Sequence, residues 1–378
     1  MSESPIYPAL VTEALRTVRY PGNGKDLVSA EMVEDDIRID GRKVSFSLIF
    51  DKPTDPFIKS VVRAAETAVT TYVAPDVEIR GNVSVKYRHE LPQKPASPLP
   101  GVKNIIGVSS GKGGVGKSTV AANLAVALAA KGFKVGLLDA DIFGPSMPKM
   151  FGLERQELYM TSREGRDWIE PAEKYGVKML SIGFMVDPDS PVLWRGGMAS
   201  NALRQLITEA WWGDLDYFVI DMPPGTSDIH LTLVQTLPIT GVVVVSTPQQ
   251  VALADARKGI AMFTGDKVNV PILGLVENMA WFTPAQHPDE RYYIFGREGG
   301  VRLAEELGVK LLAQIPLVAD ICDRADSGTP VTLAAGGEGI DDSNPEAQAF
   351  AALADAVDEA VRERNSDLPP TRVVQTHK

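Results

Sequence analysis

Eight residues, Gly111-Lys112-Gly113-Gly114-Val115-Gly116-Lys117-Ser118, constrain the fold of this chain more than any other stretch. They satisfy the pattern G-x-x-x-x-G-K-[ST], which works only between a buried strand and the start of a helix. Both flanks are legible. Residues 104–109 (NIIGVS) are an apolar run of buried-strand type, and 117–131 (KSTVAANLAVALAAK) read as an alanine-rich helix stopped by Gly132. Glycines let such a loop wrap an anion without Cβ clashes, so that backbone N–H groups and the positive helix end face it. The expected nucleotide-binding set is therefore Gly111 to Ser118 with Thr119. Within it, Lys117 is expected to meet the β- and γ-phosphates and Ser118 to offer its hydroxyl to Mg²⁺.

The rest of the chain is organised around that unit. At 378 residues it is long for one average domain. The proline-rich stretch 89–100 (HELPQKPASPLP) has no apolar periodicity and reads as an extended linker, taken here as 89–102. Before it, residues 1–88 are expected to form a small α+β domain. Its elements are a helix over 9–19, a turn at Asp40-Gly41 between two strands, a second helix over 55–73 and a last strand over 78–87. After the linker, strands at 104–109, 134–139, 177–182, 217–221, 241–247, 271–277 and 311–316 alternate with helices at 117–131, 197–212, 250–263, 298–307 and 345–364. Most of these strands are continuous Val/Ile/Leu runs, as in a parallel sheet covered on both faces. The expected architecture is a doubly wound α/β ATPase domain over 103–365, with a flexible tail over 366–378. Ligands in such sheets sit at the carboxyl ends of the strands.

Composition narrows the partners. The net charge of −11 argues against a broad polyanion-binding surface, so nucleic acid is not an expected partner. Neither is a membrane, because no run of 18 apolar residues occurs and residues 1–20 carry charges through what would be a signal core. The single cysteine, Cys322, excludes an internal disulfide and suits a reducing compartment, with the cytoplasm as the expected location.

Acidic residues recur where the strand-end rule wants them. The apolar run Val135-Gly136-Leu137-Leu138 leads into Asp139-Ala140-Asp141, one helix after the phosphate loop. One carboxylate of such a pair can hold the Mg²⁺ water shell while the other orients or deprotonates the attacking water. A second strand, Tyr217 to Ile220, ends in Asp221-Met222-Pro223-Pro224-Gly225, in which Asp221 is expected near the metal and the prolines to fix a γ-phosphate-sensing turn. Asn278, in Glu277-Asn278-Met279, has an amide able to read adenine from both sides, and Asn123 is a candidate support for the switch.

Together, the lysine pair in GKGGVGKS, the aspartates of DADIFGPS and the stretch DMPPGTSD resemble the Mrp/ApbC family of deviant-Walker ATPases, relatives of MinD, ParA and the nitrogenase iron proteins. The resemblance covers residues 100–365, and the N-terminal module resembles the small domain of many bacterial members. It implies ATP held between the two subunits of a homodimer, with Lys112 reaching the partner's phosphates and Asp141 taking the water role. It also implies delivery of iron–sulfur clusters to client apoproteins, with a [4Fe–4S] cluster held by a C-x-x-C pair from each subunit. Here the chain departs from the family. After Glu277-Asn278-Met279 it runs from Ala280 to Gly296 without a cysteine, leaving His287 in that loop, expected to be exposed, and Cys322 beyond it, expected to be a packed, inert thiol. The alternative readings are a MinD/ParA-type switch and a client-handling ATPase that binds no cluster itself.

Overall fold

A computed structural model describes residues 6–374 apart from 52–54, 89–96, 164, 186–195, 267, 285–286, 288, 335 and 372. Most of the expected linker, 89–96, and the last four residues thus lie outside the described residues. The chain divides into two compact units, Met1–Lys94 and Pro95–Lys378.

The first unit runs α1 (Pro8–Leu15), β1 (Arg38–Asp40), β2 (Lys43–Phe50), α2 (Ile58–Tyr72) and β3 (Val83–Tyr87). β1 and β2 form an antiparallel hairpin closed at Gly41, and β3 returns parallel to β2, pairing Val83 with Phe46. Alternation along β2 puts Val44, Phe46, Leu48 and Phe50 on the buried side. Val61, Ala65 and Val69, four apart on α2, cover them together with Val11 and Leu15 of α1.

The second unit contains β4 (Val102–Ser110), α3 (Lys117–Ala130), β5 (Val135–Asp139), α4 (Met147–Met150), β6 (Tyr159–Arg163), β7 (Arg166–Glu170), β8 (Ala172–Lys174) and β9 (Val177–Ser181). It continues with α5 (Gly196–Thr208), β10 (Leu215–Pro224), α6 (Asp228–Thr236), β11 (Gly241–Ser246), α7 (Gln250–Thr264) and β12 (Ile272–Phe282), then α8 (Gly299–Leu307), β13 (Leu311–Leu317), α9 (Ala319–Asp326) and α10 (Pro345–Asp367). Eight strands form one sheet in the order β13-β12-β11-β4-β10-β5-β9-β8, parallel except for the edge strand β8. Every strand expected after the linker lies in this sheet. Both faces are covered, as β10 shows: Phe218 and Ile220 pack with Leu203 of α5, Leu233 of α6 and Phe263 of α7, whereas Tyr217 and Val219 pack with Leu124 of α3 and Phe350 of α10. A strand buried on both sides has no reason to alternate, hence the continuous apolar runs.

α10 continues to Asp367, and described residues beyond it are held by hydrogen bonds: Arg364 Nη2 donates to the carbonyl of Pro369, and Val374 N donates to the carbonyl of Val234.

Candidate nucleotide site

The site is built at the carboxyl ends of β4, β5 and β10, neighbours at the centre of the sheet. β4 delivers the chain to Gly111, which lies flat against α7: a Cβ there would come within 2.1 Å of the Asp255 carbonyl carbon. Gly114 and Gly116 hold φ of +80° and +81°, the left-handed region that costs other residues strain, and Gly116 is the N-cap from which α3 starts. Gly113 and Gly114 form the exposed edge of the loop, while Val115 plugs it into the core. Lys112 is half-buried, its carbonyl accepts from Ser110 Oγ at 2.9 Å, and among the described residues its ammonium makes no ion pair.

Beneath the loop, Lys117 gathers the charged groups. Its side chain is 6% exposed, with Nζ 2.5 Å from Asp221 Oδ1, 3.1 Å from Ser118 Oγ and 3.7 Å from Asp141 Oδ2. Ser118 Oγ donates to the other Asp221 oxygen at 2.6 Å. Sheet register sets Asp139 directly opposite Asp221 on adjacent strands. Burial raises the pKa of all three carboxyls. Asp139, fully buried and repelled by the charge of Asp221, is pushed up to about 7. Asp221 and Asp141 are raised too, mainly by burial, against the pull of Lys117. One buried lysine thus faces three acids in low dielectric, an arrangement that favours a further proton or a bound cation.

The sequence-predicted residues separate into two groups. Lys117, Ser118, Asp141 and Asp221 converge as expected. Asp139, wholly buried like Asp221 opposite it, has no direct bond to Lys117; its oxygens accept from Ser181 Oγ at 2.9 Å and from the amides of Met147 and Asp141 at 3.2 Å. These bonds tie the 141–147 loop to the end of β5 and to β9. Asn278 has a contact of its own, one N–H of Nδ2 donating to the Val115 carbonyl at 2.8 Å and so bracing the phosphate loop. Asn123 Nδ2 donates to the Thr119 carbonyl at 2.9 Å within α3. Its Oδ1 accepts from the amide and hydroxyl of Thr332 at 3.1 and 2.9 Å, joining α3 to the stretch before α10. Pro223 and Pro224 extend β10 with a register shift instead of making a tight turn, and the chain bends only at Gly225. Cys322 is exposed on α9, a helix with no buried residue, so the expectation of a packed thiol fails; His287 is exposed as expected.

Three supporting residues escaped sequence reading. Ser181 arrives from β9 to hold Asp139, a pairing visible only once strand order is known. His230 closes a capping box at the start of α6, where its Nδ1 accepts from Ser227 N at 3.1 Å. The signal S-x-x-H was present but replaces the usual Glu or Gln. Glu277, buried at the end of β12, accepts from the Gly300 amide in the first turn of α8 and from Gln314 Nε2.

Among the described residues, no group of three or more His, Cys, Asp or Glu side chains is placed to hold a metal ion by itself. An oxygen donor set that gathers round a loop lysine instead fits a metal arriving with a phosphate ligand.

Residues 101–357 match the model of the NUBPL iron-transfer P-loop NTPases. The chain belongs to that family. Residues 9–80 match the separate model of the iron–sulfur cluster assembly proteins. Relatives named iron–sulfur cluster carrier proteins include one from Synechocystis, 45% identical over 85% of this chain and 90% of its own length. Another, from Aquifex aeolicus, is 38% identical over 94% and 98%. A solved nucleotide-binding protein of Archaeoglobus fulgidus, in complex with ADP, is similar with a TM-score of 0.53 and 38% identity, covering 61% of this chain and 88% of its own. In this P-loop NTPase no described helix is long and apolar enough to cross a membrane.

Proposed function

We propose that this chain is an ATP-hydrolysing carrier and assembly factor that passes iron–sulfur clusters to client apoproteins in the cytoplasm, and that it works as a homodimer with nucleotide held between the subunits. The observation that carries the reading is the cluster of Lys117, Ser118, Asp141 and Asp221 beneath the phosphate loop. Without nucleotide, Lys117 is neutralised internally by Asp221 and Asp141. The β- and γ-phosphates of ATP draw the ammonium toward the loop, and this releases Asp221 and the Ser118 hydroxyl as hard oxygen donors suited to Mg²⁺. When bound there, Mg²⁺ neutralises charge on the transferring phosphoryl group. Asp141, 13% exposed, is the carboxylate open to the cleft and takes the role of orienting the attacking water. Asp139 keeps Asp141 in place by accepting from its backbone amide. The loop amides of Gly113 to Ser118 cradle the phosphates, with Thr119 beside them, and Asn278 holds the loop from behind.

The unpaired Lys112 is the residue for the partner subunit's phosphates. A cation supplied in trans is worth ~10³–10⁵ in rate for the arginine fingers of related chemistry. Apolar side chains exposed on loops and helix starts that follow sheet strands support an interface on that side: Phe143 after β5, Leu231 after β10, Val251 after β11, and Tyr292 and Ile294 after β12.

The cluster is cargo, and the chain's thiols do not fit it as a ligand set. One cysteine per chain gives two per dimer, against the four of a [4Fe–4S] site. The remaining ligands belong to the donor or client. Anaerobic incubation with iron and sulfide, with and without a cysteine-bearing apoprotein, followed by visible absorption and metal counting, tests this. The expected result is less than one cluster per dimer on the chain alone, and ATP-dependent acceleration of cluster appearance in the apoprotein. A stoichiometric cluster on the chain that survives Cys322→Ser would overturn the ligand assignment, and an absence of ATP-dependent acceleration would overturn the carrier reading.

A further inference from the structure

The first unit carries a cationic groove for which the nucleotide site has no use. Its floor is the exposed flank of α2 beside the core face, where Ser60, Ala64 and Thr67 follow one another at helical spacing above the core residue Ala68, and its far wall is the stretch after α1. The groove has a volume of about 920 Å³. Arg19, Lys59 and Arg63 rim it, no carboxylate lines it, and among the described residues none of the three cations makes an ion pair. The one acid of α2, Glu66, is engaged elsewhere, accepting from the Gly81 amide at 3.0 Å.

The three cations form a local positive patch on a chain of net charge −11. Lys59 lies in the first turn of α2, where the helix dipole is already positive and where no acidic residue offsets it. Small side chains along the floor allow another backbone to approach closely, and Tyr72 stands 65% exposed at the end of the helix. A 15-residue helix is ~22 Å long, the span of about six or seven extended residues.

We propose that this groove docks an acidic peptide segment of a partner protein, its carboxylates meeting Arg19, Lys59 and Arg63 while its backbone lies over Ser60, Ala64 and Thr67. Charge complementarity selects the occupant. A nucleic acid would also bring negative charge, but the lining offers one aromatic ring rather than a stacking series, and the acidic chain repels a long polyanion. The inference rests on the carrier reading only for naming that partner a client.

The test uses the full chain without nucleotide and a fluorescein-labelled twelve-residue peptide of repeating Glu-Glu-Gly, read by fluorescence anisotropy. The expected result is saturable binding that weakens with salt and falls at least tenfold in the triple variant R19E/K59E/R63E. In K25E/R38E/K43E, an equal charge change on the same unit, it is expected to be unchanged. Ala64→Trp, which fills the floor without altering charge, is expected to weaken binding as well. Circular dichroism and ATP turnover report whether each variant is folded. Equal loss in both triple variants, no binding by the wild type, or tighter binding of an oligo(dT) of equal charge would each overturn the proposal. None of these results depends on ATP hydrolysis, so the groove and the carrier reading fail separately.

Discussion

At the scale of single residues, Lys117 is the hub. It is the only cation placed among Asp139, Asp141 and Asp221 by the described ion pairs and charge contacts, and all three acids are raised by burial. Lys117→Gln is expected to lower ATP turnover by ~10²–10³, the usual cost of deleting one preorganised donor to developing charge. It also leaves buried carboxylates without their partner, for a loss of about 3–5 kcal/mol on urea unfolding. Unchanged stability would show that the acids are held neutral without it. His230 supplies a second, separable prediction. Burial lowers its pKa to about 4 from 6.5, and acceptance from Ser227 N fixes the neutral tautomer with the proton on Nε2. Between those values the unfolded chain takes up a proton that the fold refuses. The stability this histidine contributes is thus complete above pH 6.5 and is lost as pH falls toward 4. His230→Gln keeps a capping side chain but cannot titrate, so urea midpoints across that window should fall less steeply than in wild type. An identical slope would remove His230 from the account.

At the scale of elements, the fold depends on a few clamps between neighbours. Asn123 joins α3 to Thr332, and Asn123→Ala leaves a buried amide unpaired, at an expected cost of about 1–3 kcal/mol in chemical denaturation with the KM for ATP unchanged. A rise in KM would instead return Asn123 to the switch. Gly111→Ala drives a methyl into the backbone of α7, with an expected loss of about 1–3 kcal/mol and weaker nucleotide binding by calorimetry. These clamps also mark where sequence reading stops. The buried strands and the phosphate loop were legible because two-sided burial and anion binding each force a local composition. The β6–β7 hairpin and β8 are short and mostly only partly covered, so no apolar pattern announced them. That Asp139 would be sealed by Ser181, or that Asn278 would brace Val115, follows from strand order and from loops meeting across the sheet, which local sequence does not encode.

At the scale of the whole molecule, a P-loop NTPase unit and a small N-terminal unit share one chain, and the proposals assign nucleotide chemistry to the former and partner capture to the latter. Of the two lysines in the phosphate loop Lys112 is the less buried, and the central claim of the proposal is that hydrolysis requires a second copy of the chain. ATP turnover per chain, measured against protein concentration for wild type and Lys112→Ala, tests it most directly. The account predicts wild-type turnover that rises with concentration toward a plateau, and a variant slower by ~10³ or more at every concentration. Turnover in Lys112→Ala that stays near the wild-type plateau and does not depend on concentration would contradict it.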